Sequence, residues 1–564
     1  MKRIAVWGII LLAINVILLG CFFHTRNFFY IDEIFSYGHS NSTQGAFLAP
    51  KLDANWHPKN FSDFFFNRWI DGNTLHAYIT VQPHETFSVP AVLENLSHGV
   101  HPPLFYLLLH TVCSFTPDVF SKWQGAALNI PCWILLLVVL YQMALLFFDD
   151  KRYALAATAF YAFSQAGFST AIYIRGYLLQ TLFATLLAYE VAKILLANRA
   201  ARSQLVKIAL YSLLGMLTQY NSIIFSAMLT LAAGSVFLYR RNYKTLFLFW
   251  GVMAVSLLGL FLCFPAAKMA LFSSNRVYEV VGIIRLFPQL LMYFFVTIVS
   301  FFYLREYATM LWSGYWILGA IGAVLLAGRI YSRKQVPLFK NGTVNALLFT
   351  LFATAIYARL FMPEMYLYHL RYIMLIMPLA ALITVWILVL IGRELLPQKL
   401  KKYIPVLLGM IILVNSGCVR FKEKSPFAFY TPTLTGNPFA GKSVVWVTVA
   451  PLKIYAAFPF LQEADRFYMP SNQTDIPAIV QALDQADTLV LFNTSVETTE
   501  HVVHTNLNDP GNLSAPLMPP AKLPPELENR VRFVKTVKIY QHFYDIYDIL
   551  PSSGTPAPQA AKQA

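Results

Sequence analysis

Long apolar runs separated by short basic stretches narrow what this chain can fold into more than any other feature. AVWGIILLAINVILLGCFF (5–23), ALNIPCWILLLVVLYQMALLFF (127–148) and the runs at 153–173, 177–197 and 245–264 each approach the ~20 apolar residues that cross a bilayer. Hydrophobic residues make up 57% of the 564, and charged residues only 13%, against about 25% in an ordinary soluble domain. Mean hydropathy is +0.54. Helices are the element that satisfies backbone groups within such runs. The expectation is therefore an α-helical polytopic membrane protein.

The formal net charge of +15 reads as topology, not as nucleic-acid binding. Lysines and arginines collect in short stretches between apolar runs, as in NRAARSQLVK (198–207), RRNYK (240–244) and RELLPQKLKK (393–402), which places those stretches inside. With Met1-Lys2-Arg3 inside, the first helix (about 4–23) runs outward. The run 208–239 is too long for one straight span and predicts two short helices meeting near Gln219-Tyr220-Asn221. The run 281–303 is expected to lie in the outer interface or to re-enter, because a span there would carry RIYSRKQVPLFK (329–340) outside. Further spans at 307–328, 344–362, 372–391 and 403–418 bring the total to about 11 transmembrane helices.

Residues 1–420 thus form a membrane domain. Within it, 24–123 make a large external loop whose HPPLFYLLLH stretch (101–110) is too short to span and suits an interfacial helix. A connection this long is usually functional. Residues 421–550 are polar enough for a small external α/β domain. The β-prone runs there are KSVVWVTVA (442–450), ADTLVLFNT (486–494) and VRFVKTVKIY (531–540), and the second is preceded by helix-like IPAIVQALDQA (476–486). The end, 551–564, has a disordered composition. The five cysteines, Cys21, Cys113, Cys132, Cys263 and Cys418, lie in or beside apolar runs without metal-ligand or CxxC spacing. LLGC (18–21) permits a cleaved leader, but an uncleaved first helix is preferred because the loop after it carries candidate chemistry.

Polar groups gather on the side predicted to be external: Asp32 and Glu33 in YIDEIFSYGHS, His101 before Pro102-Pro103, Arg175 in YIRGY, the Asn275-Arg276 pair, and Arg371-Tyr372 in HLRY. Taken singly, each has a plain reading. Asp32 fits a solvated loop, His101 a turn, and Arg371 a snorkelling anchor. Together, carboxylates and arginines at one membrane face permit group transfer from a lipid phosphate. A carboxylate can deprotonate an acceptor hydroxyl, and guanidinium forks can hold phosphate oxygens. Two adjacent acids can also contact a divalent ion, although hard cations usually take more oxygen ligands, and no zinc spacing is present. No cofactor is required by the sequence, and a divalent metal stays open.

The ordered set DE after the first run, HPPLFYLLLH, YIRGYLLQTLFATLLAYE and HLRYIMLIMPLAAL resembles the C-type membrane glycosyltransferases over about residues 1–420. More narrowly, it is similar to bacterial relatives of dolichyl-phosphate-mannose protein mannosyltransferases and of lipid A aminoarabinose transferases. The resemblance implies a C-type glycosyltransferase fold and transfer from a polyprenyl-phosphate sugar to a lipid, glycan or protein acceptor, with inversion, outside a bacterial plasma (inner) membrane. It implies Asp32, with Glu33 beside it, as the catalytic base. His101, Arg175, Arg371 and Tyr372 become donor-phosphate or substrate contacts, and Arg276 joins the substrate contacts by its position alone. Thr218-Gln219-Tyr220 departs from the family's histidine-containing stretch, since glutamine cannot titrate. Lys268, Asn275 and Tyr278 are further contacts by position alone. The alternatives are a transporter or flippase of lipid-linked sugars, which would carry charges at mid-membrane depth, and a non-catalytic scaffold with an external binding domain.

Overall fold

The computed structural model describes residues 2–26, 28–42, 66–97, 99, 101–148, 150–272, 374–418, 436–448, 451–471, 475–492, 523–539 and 542–550. The N-terminal part contains α1 (Lys2–Thr25), α2 (Ile31–Asn41), β1 (Trp69–Asp71), α3 (Gly72–Ile79), α4 (Val89–Ser97), α5 (Leu104–Ser114), α6 (Lys122–Phe147), α7 (Lys151–Ala162) and α8 (Gln165–Ile172). There follow α9 (Tyr177–Ala197), α10 (Arg202–Thr218), α11 (Asn221–Tyr239), α12 (Tyr243–Cys263), α13 (Ala267–Phe272), α14 (Met377–Leu395) and α15 (Ile404–Cys418). The tail holds β2 (Ser443–Val447), α16 (Phe458–Leu461), β3 (Arg466–Tyr468), α17 (Ile476–Leu483), β4 (Thr488–Phe492), α18 (Pro525–Glu528), β5 (Val531–Ile539) and β6 (His542–Ile549). Two compact units result. One is built from 1–26, 96–112 and 121–426, the other from 27–95, 113–120 and 427–564.

In the first unit, 5 of the described helices are long and apolar enough to cross a membrane: Val6–Thr25 within α1, then α6, α9, α11 and α12. The expected spans at 307–328 and 344–362, and the run 281–303, lie outside the described residues. The 208–239 run divides as anticipated, with α10 and α11 meeting at Gln219-Tyr220. The 153–173 run does not form the single helix expected. It breaks into α7 and α8 because Ser164 caps α8, its Oγ accepting from the Gly167 N–H at 3.0 Å. A Cβ on Gly167 would lie 2.0 Å from the Tyr161 carbonyl oxygen, so this tight turn tolerates only glycine.

Apolar side chains supply most of the interior, and the few buried polar groups tie helices together. Asn15 of α1 donates to the Ala162 carbonyl at 2.8 Å and accepts from the Trp133 indole N–H at 2.6 Å. Gln180 of α9 donates to Ser222 of α11 at 3.1 Å. Such pairs matter where water is excluded, since an unmade hydrogen bond there has no substitute.

The second unit is organised by a 6-stranded sheet in the order β1-β3-β2-β4-β6-β5. β2 runs parallel to both β3 and β4, while β1–β3, β4–β6 and β6–β5 are antiparallel. All five residues of β2 are buried, as a central strand covered on both faces requires. Val445 and Val447 pack with Leu489, Tyr547, Ile479 and Leu483 on one face, and Trp446 meets Phe439 and Tyr544. The three strand runs and the helix read from the tail sequence are present as β2, β4, β5 and α17. The sequence reading missed β3, β6 and, above all, β1. This last strand comes from the first long loop and pairs Trp69, Ile70 and Asp71 with Tyr468, Phe467 and Arg466. The sheet therefore reaches outside the boundary drawn at residue 421. The expected disordered end, 551–564, lies outside the described residues.

At the end of β1, the Gly72 N–H donates to the Asp465 carbonyl at 3.1 Å. A Cβ on Gly72 would sit 2.1 Å from the backbone oxygen of Ala464, which cannot swing aside as a side chain would. Gly72→Ala should therefore pry β1 from β3 and cost the second unit about 1–3 kcal/mol. The readout is a lower melting temperature together with faster proteolysis within the tail. Unchanged melting would mean that the β1–β3 junction contributes little.

Candidate active site

Of the site residues read from the sequence, Asp32, Glu33, His101 and Arg175 fall on described residues. Arg276, Arg371 and Tyr372 lie outside them, as do Asn275 and Tyr278. Asp32 and Glu33 belong to the unit that carries the sheet, and His101 and Arg175 to the helical unit.

Asp32 and Glu33 occupy the first turn of α2, where the helix dipole and unsatisfied N–H groups favour negative charge. The two acids differ in setting. Glu33 is 1% exposed, and its Oε2 accepts from the Tyr30 N–H at 2.8 Å. That is the reciprocal half of a capping box, so this carboxylate fixes the start of the helix. Asp32 is partly exposed. Its carbonyl receives the Ser36 hydroxyl at 2.9 Å, one turn later. The sequence paired the two acids as equals; their surroundings separate a capping group from a more accessible one.

α2 is seated by close packing. A Cβ on Gly38 would lie 2.0 Å from the Tyr78 ring, so α2 and α3 meet at a contact only glycine permits. Asn41 Nδ2 donates to the Ile79 carbonyl at 3.0 Å. Phe35, in the middle of α2, packs against Tyr455 with ring centroids 4.6 Å apart, and Tyr455 also touches Tyr78 and Phe458. Tail residues thus form part of the seat for the helix that bears Asp32.

In the helical unit the HPP and YIRGY stretches meet. Arg175 Nη2 lies 2.9 Å from His101 Nε2, across 74 residues of sequence. Guanidinium can only donate, so Nε2 must accept, and the imidazole in this bond is neutral with its proton on Nδ1. A neutral imidazole satisfies one N–H without cancelling the cationic charge. Arg175 is only 5% exposed.

The linker carrying Arg175 is clamped by α6. Asn129 Nδ2 donates to the carbonyls of Ala171 and Tyr173 at 3.1 and 2.9 Å. One turn earlier on the same helix face, Gly125 allows Ile174 to approach so closely that a Cβ there would lie 2.5 Å from it. Tyr173 and Tyr177 stack with centroids 5.7 Å apart and planes 7° from parallel, bracketing Arg175 in sequence. Sequence reasoning overlooked Gly125 and Asn129; an i, i+4 pair of small and amide residues in an apolar run was the available signal. Among the described residues, no group of three or more His, Cys, Asp or Glu side chains is arranged to hold a metal ion.

No protein-family model matches the chain, and no curated protein matches it. Solved structures do. ArnT from Cupriavidus metallidurans bound to undecaprenyl phosphate aligns with 96% of this chain and 97% of its own, at 9% identity and a TM-score of 0.45. The apo state of the same protein aligns with 96% and 98%, at 9% identity and 0.46. The archaeal oligosaccharyltransferase AglB from Archaeoglobus fulgidus, in complex with an inhibitory peptide and a dolichol-phosphate, aligns with 86% of this chain and 69% of its own, at 13% identity and 0.41.

Substitutions in the α6 clamp test how Arg175 is positioned. Gly125→Val should drive Ile174 aside and cost about 1–3 kcal/mol by overpacking. Asn129→Leu removes a donor from two carbonyls and should cost a similar ~1–3 kcal/mol. Thermal unfolding of each purified variant checks both. Wild-type melting in both would show that the linker is held by other contacts.

Proposed function

We propose that this protein is an integral membrane glycosyltransferase that moves a sugar from a polyprenyl-phosphate-linked donor to an acceptor outside the membrane. The observation that carries this reading is the Arg175–His101 contact, because it unites two members of the ordered motif set at 2.9 Å around a buried guanidinium. A buried guanidinium is suited to a phosphate leaving group: its fork matches two oxygens, and its charge gains strength where water is scarce. His101 then acts as a positioning residue for the guanidinium.

In the proposed reaction an acceptor hydroxyl attacks the anomeric carbon. Its proton passes to the Asp32 carboxylate, and the bond from the anomeric carbon to the phosphate oxygen breaks. The electron pair leaves with the polyprenyl phosphate, whose growing negative charge the arginine offsets. A single displacement of this kind inverts the anomeric centre. Glu33 supports the base by fixing the first turn of α2. Arg276, Arg371 and Tyr372 are proposed as further contacts to the donor. The N-terminus is taken as cytoplasmic and the tail as extracytoplasmic, as the loop charges favour, and a bacterial inner membrane as the family resemblance implies. Support for catalysis over transport comes from the distribution of charge: α6 has lysine at its first position and no charged residue after it.

The test is sugar release from a panel of radiolabelled polyprenyl-phosphate sugars by the purified full chain in lipid. Wild type should turn over one donor, and Asp32→Asn should lose at least about 100-fold in rate, the range expected for a general base, with its melting temperature unchanged. A fully active Asp32→Asn would remove Asp32 from the chemistry.

A further inference from the structure

At one end of the helical unit, α9 and α11 finish where α10 and α12 begin, and the two connections are bonded to each other. Asn242 Nδ2 donates to the Asn198 carbonyl at 2.6 Å, across 44 residues of sequence. The same side chain caps α12, its Oδ1 accepting from the Thr245 N–H at 3.2 Å. Arg240 Nη1 donates to the Leu195 carbonyl at 2.6 Å, in the last turn of α9. A guanidinium on an otherwise unsatisfied terminal carbonyl is a favourable cap.

The other cations of these connections have no such employment. Arg199, Arg202, Arg241 and Lys244 are exposed, and none of the four forms an ion pair among the described residues. The acid in the last two turns of α9, Glu190, is buried and already engaged by Lys193 at 3.0 Å and Lys207 at 3.7 Å. Arg202 is the first residue of α10 and Lys244 the second of α12, and neither helix has an acid in its first turn. A helix start carries the positive end of the dipole, which favours acids and opposes cations. Two such ends with cations on them concentrate positive charge that the chain itself does not offset. Arg241 adds to it from φ 55°, a left-handed conformation for which glycine or asparagine is the ordinary choice. An arginine kept at that position points to a use for its charge.

Apolar surface continues directly from these cations. Tyr239, at the end of α11, is 84% exposed, and Phe247, one turn beyond Lys244, is 66% exposed; Leu238 is exposed beside them. Both helices are long and apolar enough to cross a membrane. The matching partner therefore has a negative headgroup joined to acyl chains. We infer that Arg199, Arg202, Arg241 and Lys244 form a headgroup site for an anionic phospholipid, whose acyl chains lie along Leu238, Tyr239 and Phe247. The charge selects an anionic headgroup, and the apolar flank selects a lipid over free phosphate. The inference is independent of the donor assignment, since none of these residues belongs to the candidate active site.

The experiment measures, by native mass spectrometry of the purified full chain in detergent, the affinities for dioleoylphosphatidylglycerol and dioleoylphosphatidylcholine, with inorganic phosphate as a competitor. Wild type should prefer the anionic lipid by about 10-fold or more, as several cations at a lipid surface provide, and the preference should shrink as salt is raised. Combining Arg199→Gln, Arg202→Gln, Arg241→Asn and Lys244→Gln should abolish the preference while leaving phosphatidylcholine binding unchanged. If that chain fails to accumulate, because basic loops also orient a chain in the membrane, the pair Arg241→Asn and Lys244→Gln makes the same comparison. It keeps Arg199 and Arg202 and should lose about 3-fold or more of the preference. Equal affinity for the two lipids in wild type overturns the site and leaves these cations with orientation of the chain alone. A preference that survives in the variants also overturns it, since the headgroup is then held elsewhere. Inorganic phosphate that displaces phosphatidylglycerol at equal concentration overturns the assignment to a lipid.

Discussion

The second unit depends on a short antiparallel contact between distant parts of the chain. Trp69, Ile70 and Asp71 pair with Tyr468, Phe467 and Arg466. Three residues of ladder are few, and the surroundings reinforce them. Asn67 and Ser471 exchange two hydrogen bonds at 3.0 and 2.9 Å, and the Arg466 guanidinium lies 4.5 Å from the Trp69 ring centroid. A cation over an indole adds attraction at a place where strand pairing alone is marginal. Through this contact the first long loop and the tail become one folded body.

The consequence for chemistry is positional. α2 carries Asp32, and its seat is made from both sources: Tyr78 from the loop, Tyr455 and Phe458 from the tail. Aromatic side chains suit this task because each buries a large area with little rotamer freedom to lose. A base that must be placed accurately gains from such a rigid setting. The small α/β tail is therefore structurally coupled to the candidate base, whatever else it binds.

In the helical unit the governing constraint is that polar groups in apolar surroundings must find partners. Asn15, Asn129 and Gln180 do so with carbonyls, an indole and a serine on neighbouring helices. These bonds hold α1, α6, α9 and α11 in register and fix the linker from which Arg175 projects. The glycines at 125 and 167 make a complementary contribution, since each allows an approach that a single methyl group would block.

Much of this was legible in one dimension. Apolar run length located α6, α9 and α12 to within a few residues, because a helix in lipid closes its own hydrogen bonds and its limits follow from composition. Alternation and β-branching located β2, β4 and β5 for the same local reason. Motif order brought His101 and Arg175 onto one short list. The sequence could not reveal that their side chains touch, or that Glu33 is occupied as a cap while Asp32 is more open. Nor could it show that three residues near position 70 complete a sheet assembled some 400 residues later, because a strand so short has almost no periodic signal. By itself the sequence determined which segments are apolar helices and which residue types are available for chemistry, since both follow from local composition. Only the tertiary structure decided which of those residues are neighbours and which are buried, because that depends on contacts between segments far apart in the chain.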